Sequence, residues 1–191
     1  MTIETHIMSI EDFMQKYSDE GAFEIINGEI IYMNPQSSGS ADVSGNLYFA
    51  LRLYCQQSND KVLIEAPFVL TENTNWVKGS RVPDIMFYTQ ARFDDYAQQT
   101  PDRASKPMMI VPDFVAETIS PSDRFSDVNH KVQTYLNDGV KLVWVIDPQE
   151  KTVHIHTPSN DQSRLVKGDN LLQIPPTIAT FEIKLSDLFA E

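Results

Sequence analysis

Hydrophobic residues in this chain recur with two periods. Every third or fourth position marks a helix, and alternation or a short unbroken apolar run marks a strand. Ser9, with Asp12 three residues later, resembles a capping box, so residues 10–17 read as a short helix. FEIINGEIIYM follows, and Asn27-Gly28 between two β-branched runs predicts a two-residue hairpin. Val43, Leu47, Ala50, Leu51 and Tyr54 fall at helical spacing, which makes residues 40–57 the first long helix. KVLIEAPFVL reads as one strand, or as two broken near Pro67. TENTNWVKGSR is a polar loop on this reading, and RVPDIMFYT is a strand with Pro83 near its start.

DFVAETI is another strand, followed by the polar loop SPSDRFSD. Val128, Val132, Tyr135 and Leu136 mark a helix stopped by Asn137-Asp138-Gly139. VKLVWVIDP is almost continuously apolar, the pattern of a strand buried on both faces. Strand, helix and strand in this order predict a right-handed βαβ crossover. The remainder reads as short strands, TVHIHT, SRLVK and TFEI, with a short helix near residues 185–189. There is no internal repeat, low-complexity segment or linker, so a single domain over residues 1–191 is expected.

Composition narrows the function classes. Hydrophobic residues make up 41% of 191 residues, enough for a proper core. No apolar run approaches the roughly 18 residues of a membrane helix, and the N-terminus lacks a signal-peptide pattern, so a cytoplasmic address is the default expectation. Cys55 is the only cysteine, which excludes an internal disulfide and a Cys-rich zinc site. The net charge of −12 speaks against a broad nucleic-acid-coating surface but leaves room for a local site.

The chemistry gathers around Glu117. Val115, Glu117 and Ile119 share one strand face, and the earlier strand carries Asp84 with Val82 and Met86. Two acids among apolar neighbours repel unless a cation lies between them, and Mg²⁺ suits such oxygen donors. Lys131 lies at the edge of the apolar helix face and is angled towards the sheet, with Asp127 four residues earlier as a pairing partner. Two carboxylates and an ammonium in one pocket suit metal-assisted phosphodiester hydrolysis.

Pro83-Asp84, followed by a strand bearing Glu117, resembles the PD-(D/E)XK nuclease superfamily. The chain as a whole is more similar to its Uma2 branch (DUF820), through FEIINGEIIYMNP, RVPDIMFY, the run from Val115 to Pro148, and the tail from GDNL to LFAE. The resemblance implies an α/β (α+β) restriction-endonuclease-like fold: a central mixed β-sheet flanked by helices, with an N-terminal hairpin and C-terminal short strands. It implies that Asp84 and Glu117 bind Mg²⁺ or Mn²⁺ with the Thr118 backbone carbonyl, and it makes Glu24 a further candidate for the metal shell. The lysine of the motif falls at position 119, here Ile119; in this branch it comes from the following helix, which matches Lys131. A family histidine ahead of the first long helix aligns near Ser40. The implied reaction is DNA cleavage, with Lys131 orienting or helping to deprotonate the attacking water, in a homodimer.

Other residues carry weaker signals. Ser120 and Asp127 support the geometry, and Lys78, Arg81 and Arg124 are candidate phosphate contacts. Trp76 is a candidate for stacking on a base, against an ordinary loop position. His154 and His156 share a strand face without a third ligand, and a solvated edge strand is the simpler reading. His130 should point away from the site, Cys55 and Trp144 belong to the core, and His6 lies in a terminus. A non-catalytic module on the same scaffold is the rival function, favoured by the acidic charge and Ser40. An acidic dimerisation module is the third.

Overall fold

The computed structural model describes residues 8–35, 37–73, 75–121 and 123–190; His6 lies outside them. A two-residue strand, β1 (Met8–Ser9), leads into α1 (Ile10–Glu20), where Ser9 Oγ accepts the Asp12 N–H at 3.0 Å. Asn27 and Gly28 take φ of 52° and 83°, as a primed turn requires, and join β2 (Phe23–Ile26) to β3 (Glu29–Tyr32). The first long helix is α2 (Ser38–Ser58). The run around Pro67 is two strands, β4 (Lys61–Ile64) and β5 (Phe68–Asn73), and they enter different sheets.

Two expectations fail in the next segment. Trp76 does not lie in a loop: β6 (Trp76–Arg81) is a strand that pairs with β1, β2 and β5. RVPDIMFYT is not one strand either, because Val82, Pro83 and Asp84 interrupt it before β7 (Ile85–Tyr88). There follow α3 (Gln90–Gln99), β8 (Phe114–Thr118), α4 (Phe125–Asp138) and β9 (Leu142–Asp147). Helix α4 starts inside the segment read as a polar loop, and Gly139 ends it with φ of 106°. The chain closes with β10 (Thr152–Thr157), β11 (Asn160–Lys167), β12 (Leu171–Gln173), β13 (Glu182–Lys184) and α5 (Leu185–Leu188).

The central sheet is mixed, in the order β11-β10-β9-β8-β7-β4, with β8 and β9 parallel across the α4 crossover and the other pairs antiparallel. β10 lies inside this sheet, so His154 and His156 are not on an edge strand. Strand alternation sorts the core onto its two faces. Ala116, Leu142, Trp144 and Ile146 meet Leu47, Leu51 and Cys55 of α2, while Val115, Val143 and Val145 meet Val132 and Tyr135 of α4. That sandwich explains the unbroken apolar run of β9. A second sheet, built from β1, β2, β3, β5 and β6, carries α1 through Phe13, Phe23, Ile25 and Val77.

Candidate functional site

The chain passes from the second sheet to the central one at Val82–Asp84, and Asp84 stands at that crossing. β7 and β8 pair antiparallel with Ile85 opposite Ala116, so one further step of register sets Asp84 against Glu117. The Thr118 N–H donates to Asp84 Oδ2 at 2.7 Å, which ties the first acid to the peptide following the second.

Helix α4 supplies the partners of Glu117. Lys131 Nζ donates to Glu117 Oε2 at 2.8 Å, and the Tyr135 hydroxyl, one turn on, donates to Oε1. Lys131 does not take the salt bridge to Asp127 expected from helical spacing. Asp127 is exposed and accepts from Ser126 Oγ at 3.0 Å. A buried carboxylate in low dielectric attracts an ammonium more strongly than an exposed one does. Helix α2 holds the same strand end from the other face, where Ser44 Oγ donates to Thr118 Oγ1 at 2.8 Å and Ser40 Oγ to the Ile119 carbonyl at 3.2 Å. Ser40 is thus a buried hydroxyl that fixes backbone.

A cavity of about 480 Å³ opens over these groups. The β2–β3 hairpin forms one wall with Ile26 and Ile31, and α4 forms the other. Five carboxylates line it, from Glu24, Asp84, Glu117, Asp123 and Asp127, against the Lys131 ammonium and the His130 imidazole. Burial pushes the Glu117 carboxyl up to about 8; the Asp84 charge adds to this, while Lys131 and Tyr135 oppose it. Burial alone would lower Lys131, but Glu117, Glu24 and Asp84 outweigh it and hold the amine protonated, above its usual range.

Among the described residues, no three His, Cys, Asp or Glu side chains are gathered closely enough to hold a metal. Glu24 reaches the cavity, yet its Oε1 accepts the Val82 N–H at 2.9 Å. Asp84 and Glu117 line the cavity together, with Thr118 beside them. Mg²⁺ commonly takes one or two carboxylates and keeps several waters, so this hard-oxygen pair fits it.

The remaining candidates divide. Ser120 and Asp127 line the cavity, and the Ser120 N–H donates to Asp123 Oδ2 at 2.7 Å. Lys78 on β6 and Arg124 ahead of α4 are exposed but lie outside the cavity lining. Arg81 is withdrawn from any phosphate: it is buried, its Nε lies 2.8 Å from Asp138 Oδ2, and its Nη1 donates to the Ile25 carbonyl. Trp76 is exposed on β6, away from the cavity. Sequence reasoning missed Tyr135, which served there only to mark the helix, and His130, which lines the cavity after all. The signal for His130 was its i,i+3 spacing from Asp127, which sets both on one helix face.

The family model Uma2, described as "Putative restriction endonuclease", matches residues 10–186. Among solved structures, the chain is similar to a crystal structure from Anabaena variabilis ATCC 29413, described as "a putative nuclease belonging to DUF820". The identity is 21%, the match covers 96% of this chain and 98% of that one, and the TM-score is 0.75. At that identity the likeness is one of fold. No curated protein matches the chain, and among the described residues no helix is long and apolar enough to cross a membrane. The family match runs through the hairpin, the Val82–Asp84 crossing, β8 and α4, and the chain belongs to the Uma2 family.

Proposed function

We propose that the chain is a single restriction-endonuclease-like domain that hydrolyses DNA phosphodiester bonds with Mg²⁺ or Mn²⁺. The observation that carries this reading is the meeting of Asp84, Glu117 and Lys131 at the end of β8, in a cavity where acids outnumber cations. Such a cleft repels a polyanion until a cation neutralises it. Asp84, Glu117 and the Thr118 carbonyl are the assigned ligands, with Glu24 behind them. When bound, a divalent ion offsets charge on the phosphate and lowers the pKa of water beside it.

Lys131 keeps its proton under the influence of three acids. Its place beside Glu117 suits it to orienting the attacking water and stabilising charge on the pentacovalent phosphate. Ser120 and Asp127 shape the rim, and Lys78 and Arg124 remain candidate contacts for phosphates beyond the cavity. A homodimer would present two such centres to the two strands of a duplex.

The test is cleavage of supercoiled DNA with Mg²⁺ or Mn²⁺. Asp84→Asn and Glu117→Gln abolish both ion binding and cleavage. Lys131→Ala keeps ion binding and loses roughly 10²–10³-fold in rate, as for loss of one transition-state donor. Wild-type protein that cuts no single- or double-stranded DNA or RNA with either ion contradicts the catalytic reading. The second reading, a binding module on the nuclease scaffold, is favoured by Ser40 holding backbone where the family carries a histidine. It predicts ion binding without cleavage.

A further inference from the structure

The cation site leaves one buried polar group without a part. Tyr135 is fully buried among Phe68, Val115, Val132 and Val143. Its ring centroid lies 6.4 Å from that of Phe68. A phenylalanine would fill the same apolar space without needing a hydrogen-bond partner, so the hydroxyl is what calls for explanation. It donates to Glu117 Oε1, while Lys131, at i−4 on the same helix, donates to Oε2. Helix α4 thus grips one carboxylate by both oxygens, with a neutral donor on the core side and a cation on the cleft side. Lys131 and Glu117 line the cavity and Tyr135 does not.

We propose that Tyr135 is a positioning residue for the ion site: its hydroxyl turns Glu117 Oε1 inward, so that Glu117 offers the cleft Oε2 and faces Asp84 in a fixed plane. This rests on the reading of Asp84 and Glu117 as ligands. Outer partners fix the geometry of a ligating carboxylate, and their loss typically weakens metal affinity by about 10–100-fold. With the hydroxyl removed, Glu117 is free to rotate about its last bond, and the Lys131 ammonium is its remaining donor among the described residues.

The experiment measures Mn²⁺ affinity by titration calorimetry on the intact wild-type chain, Tyr135→Phe and Glu117→Gln. The expected result is Mn²⁺ bound by wild type, lost in Glu117→Gln, and about 10–100-fold weaker in Tyr135→Phe. Wild-type affinity in Tyr135→Phe, with binding lost in Glu117→Gln, overturns the role of Tyr135 and leaves the ion site standing. Equal binding by wild type and Glu117→Gln overturns the ion site and this proposal with it. A second measurement avoids any folding defect in the variant: ¹⁹F NMR of the chain with 3-fluorotyrosine at position 135 alone. Addition of Mg²⁺ shifts that resonance if its hydroxyl holds a ligand, and an unmoved resonance under saturating Mg²⁺ overturns the proposal.

Discussion

Asp113 immediately precedes β8 and Glu117 lies near its end, both buried, and their surroundings drive them in opposite directions. Asp113 sits at the entrance to β8. It meets Lys141 at 2.7 Å and Arg92 at 2.8 Å, and accepts the Thr89 N–H at 3.0 Å. Burial alone would raise its carboxyl, but Lys141, the Thr89 N–H and Arg92 outweigh that and hold it below the usual range. Glu117 has one cation, Lys131, and a second acid, Asp84, beside it, and burial carries it to about 8. The first carboxylate is fully compensated within the fold. The second is compensated in part, and the deficit faces a cavity. A buried acid with its charge settled is structural, and one left short of positive charge at a cavity is a candidate for function.

The largest expected effect separates the two directly. Glu117→Gln removes cleavage and ion binding, whereas Asp113→Asn leaves ion affinity unchanged and lowers stability. An amide at 113 no longer serves its two cationic donors; the loss is about 1.5–3 kcal/mol, the scale of charged hydrogen bonds, because Lys141 and Arg92 reach solvent once released. Chemical denaturation of both variants beside Mn²⁺ titration checks this, and loss of ion binding in Asp113→Asn would contradict the structural role of Asp113.

Next comes the pH dependence of ion binding. A proton held by Glu117 competes with the cation, so affinity rises by about tenfold per pH unit up to about 8 and then levels off. A flat affinity between pH 6 and 8 means that Glu117 is already ionised in the free protein.

The smallest effect lies in acid. The folded-state pKa of Asp113 is depressed, so its contribution is present above the unfolded value near 3.8 and is lost as pH falls through the folded value. The stability gap between wild type and Asp113→Asn is therefore full at neutral pH and narrows below about pH 4. Denaturation midpoints from pH 3 to 7 measure it, and a constant gap contradicts the assignment.

Much of this frame is legible in local pattern. Asn27-Gly28, the α2 periodicity and the double-faced run of β9 each name their element, because turn chemistry and burial act over a few residues. Glu117 and Lys131 were also legible together, since alternation and helix spacing aim both at one end of the sheet, whereas Asp84 reaches that end from the break before β7. What escaped depends on distant partners. β6 carries Trp76, Lys78 and Gly79, a poor strand signal, and becomes a strand because β1, β2 and β5 flank it. Lys131 has Asp127 nearby in sequence but prefers Glu117, buried across the packing interface. The withdrawal of Arg81 to Asp138 and the hydroxyl of Tyr135 are likewise products of tertiary packing, with no local pattern to announce them.

The most direct test of the central claim is a crystal structure of the protein soaked in Mn²⁺, read by anomalous scattering. One strong peak is expected between the Asp84 and Glu117 carboxylates and the Thr118 carbonyl, with oxygen distances of about 2.1 Å, as for a small octahedral cation. Manganese found elsewhere, with Glu117 still held only by Lys131 and Tyr135 in ion-saturated crystals, contradicts it.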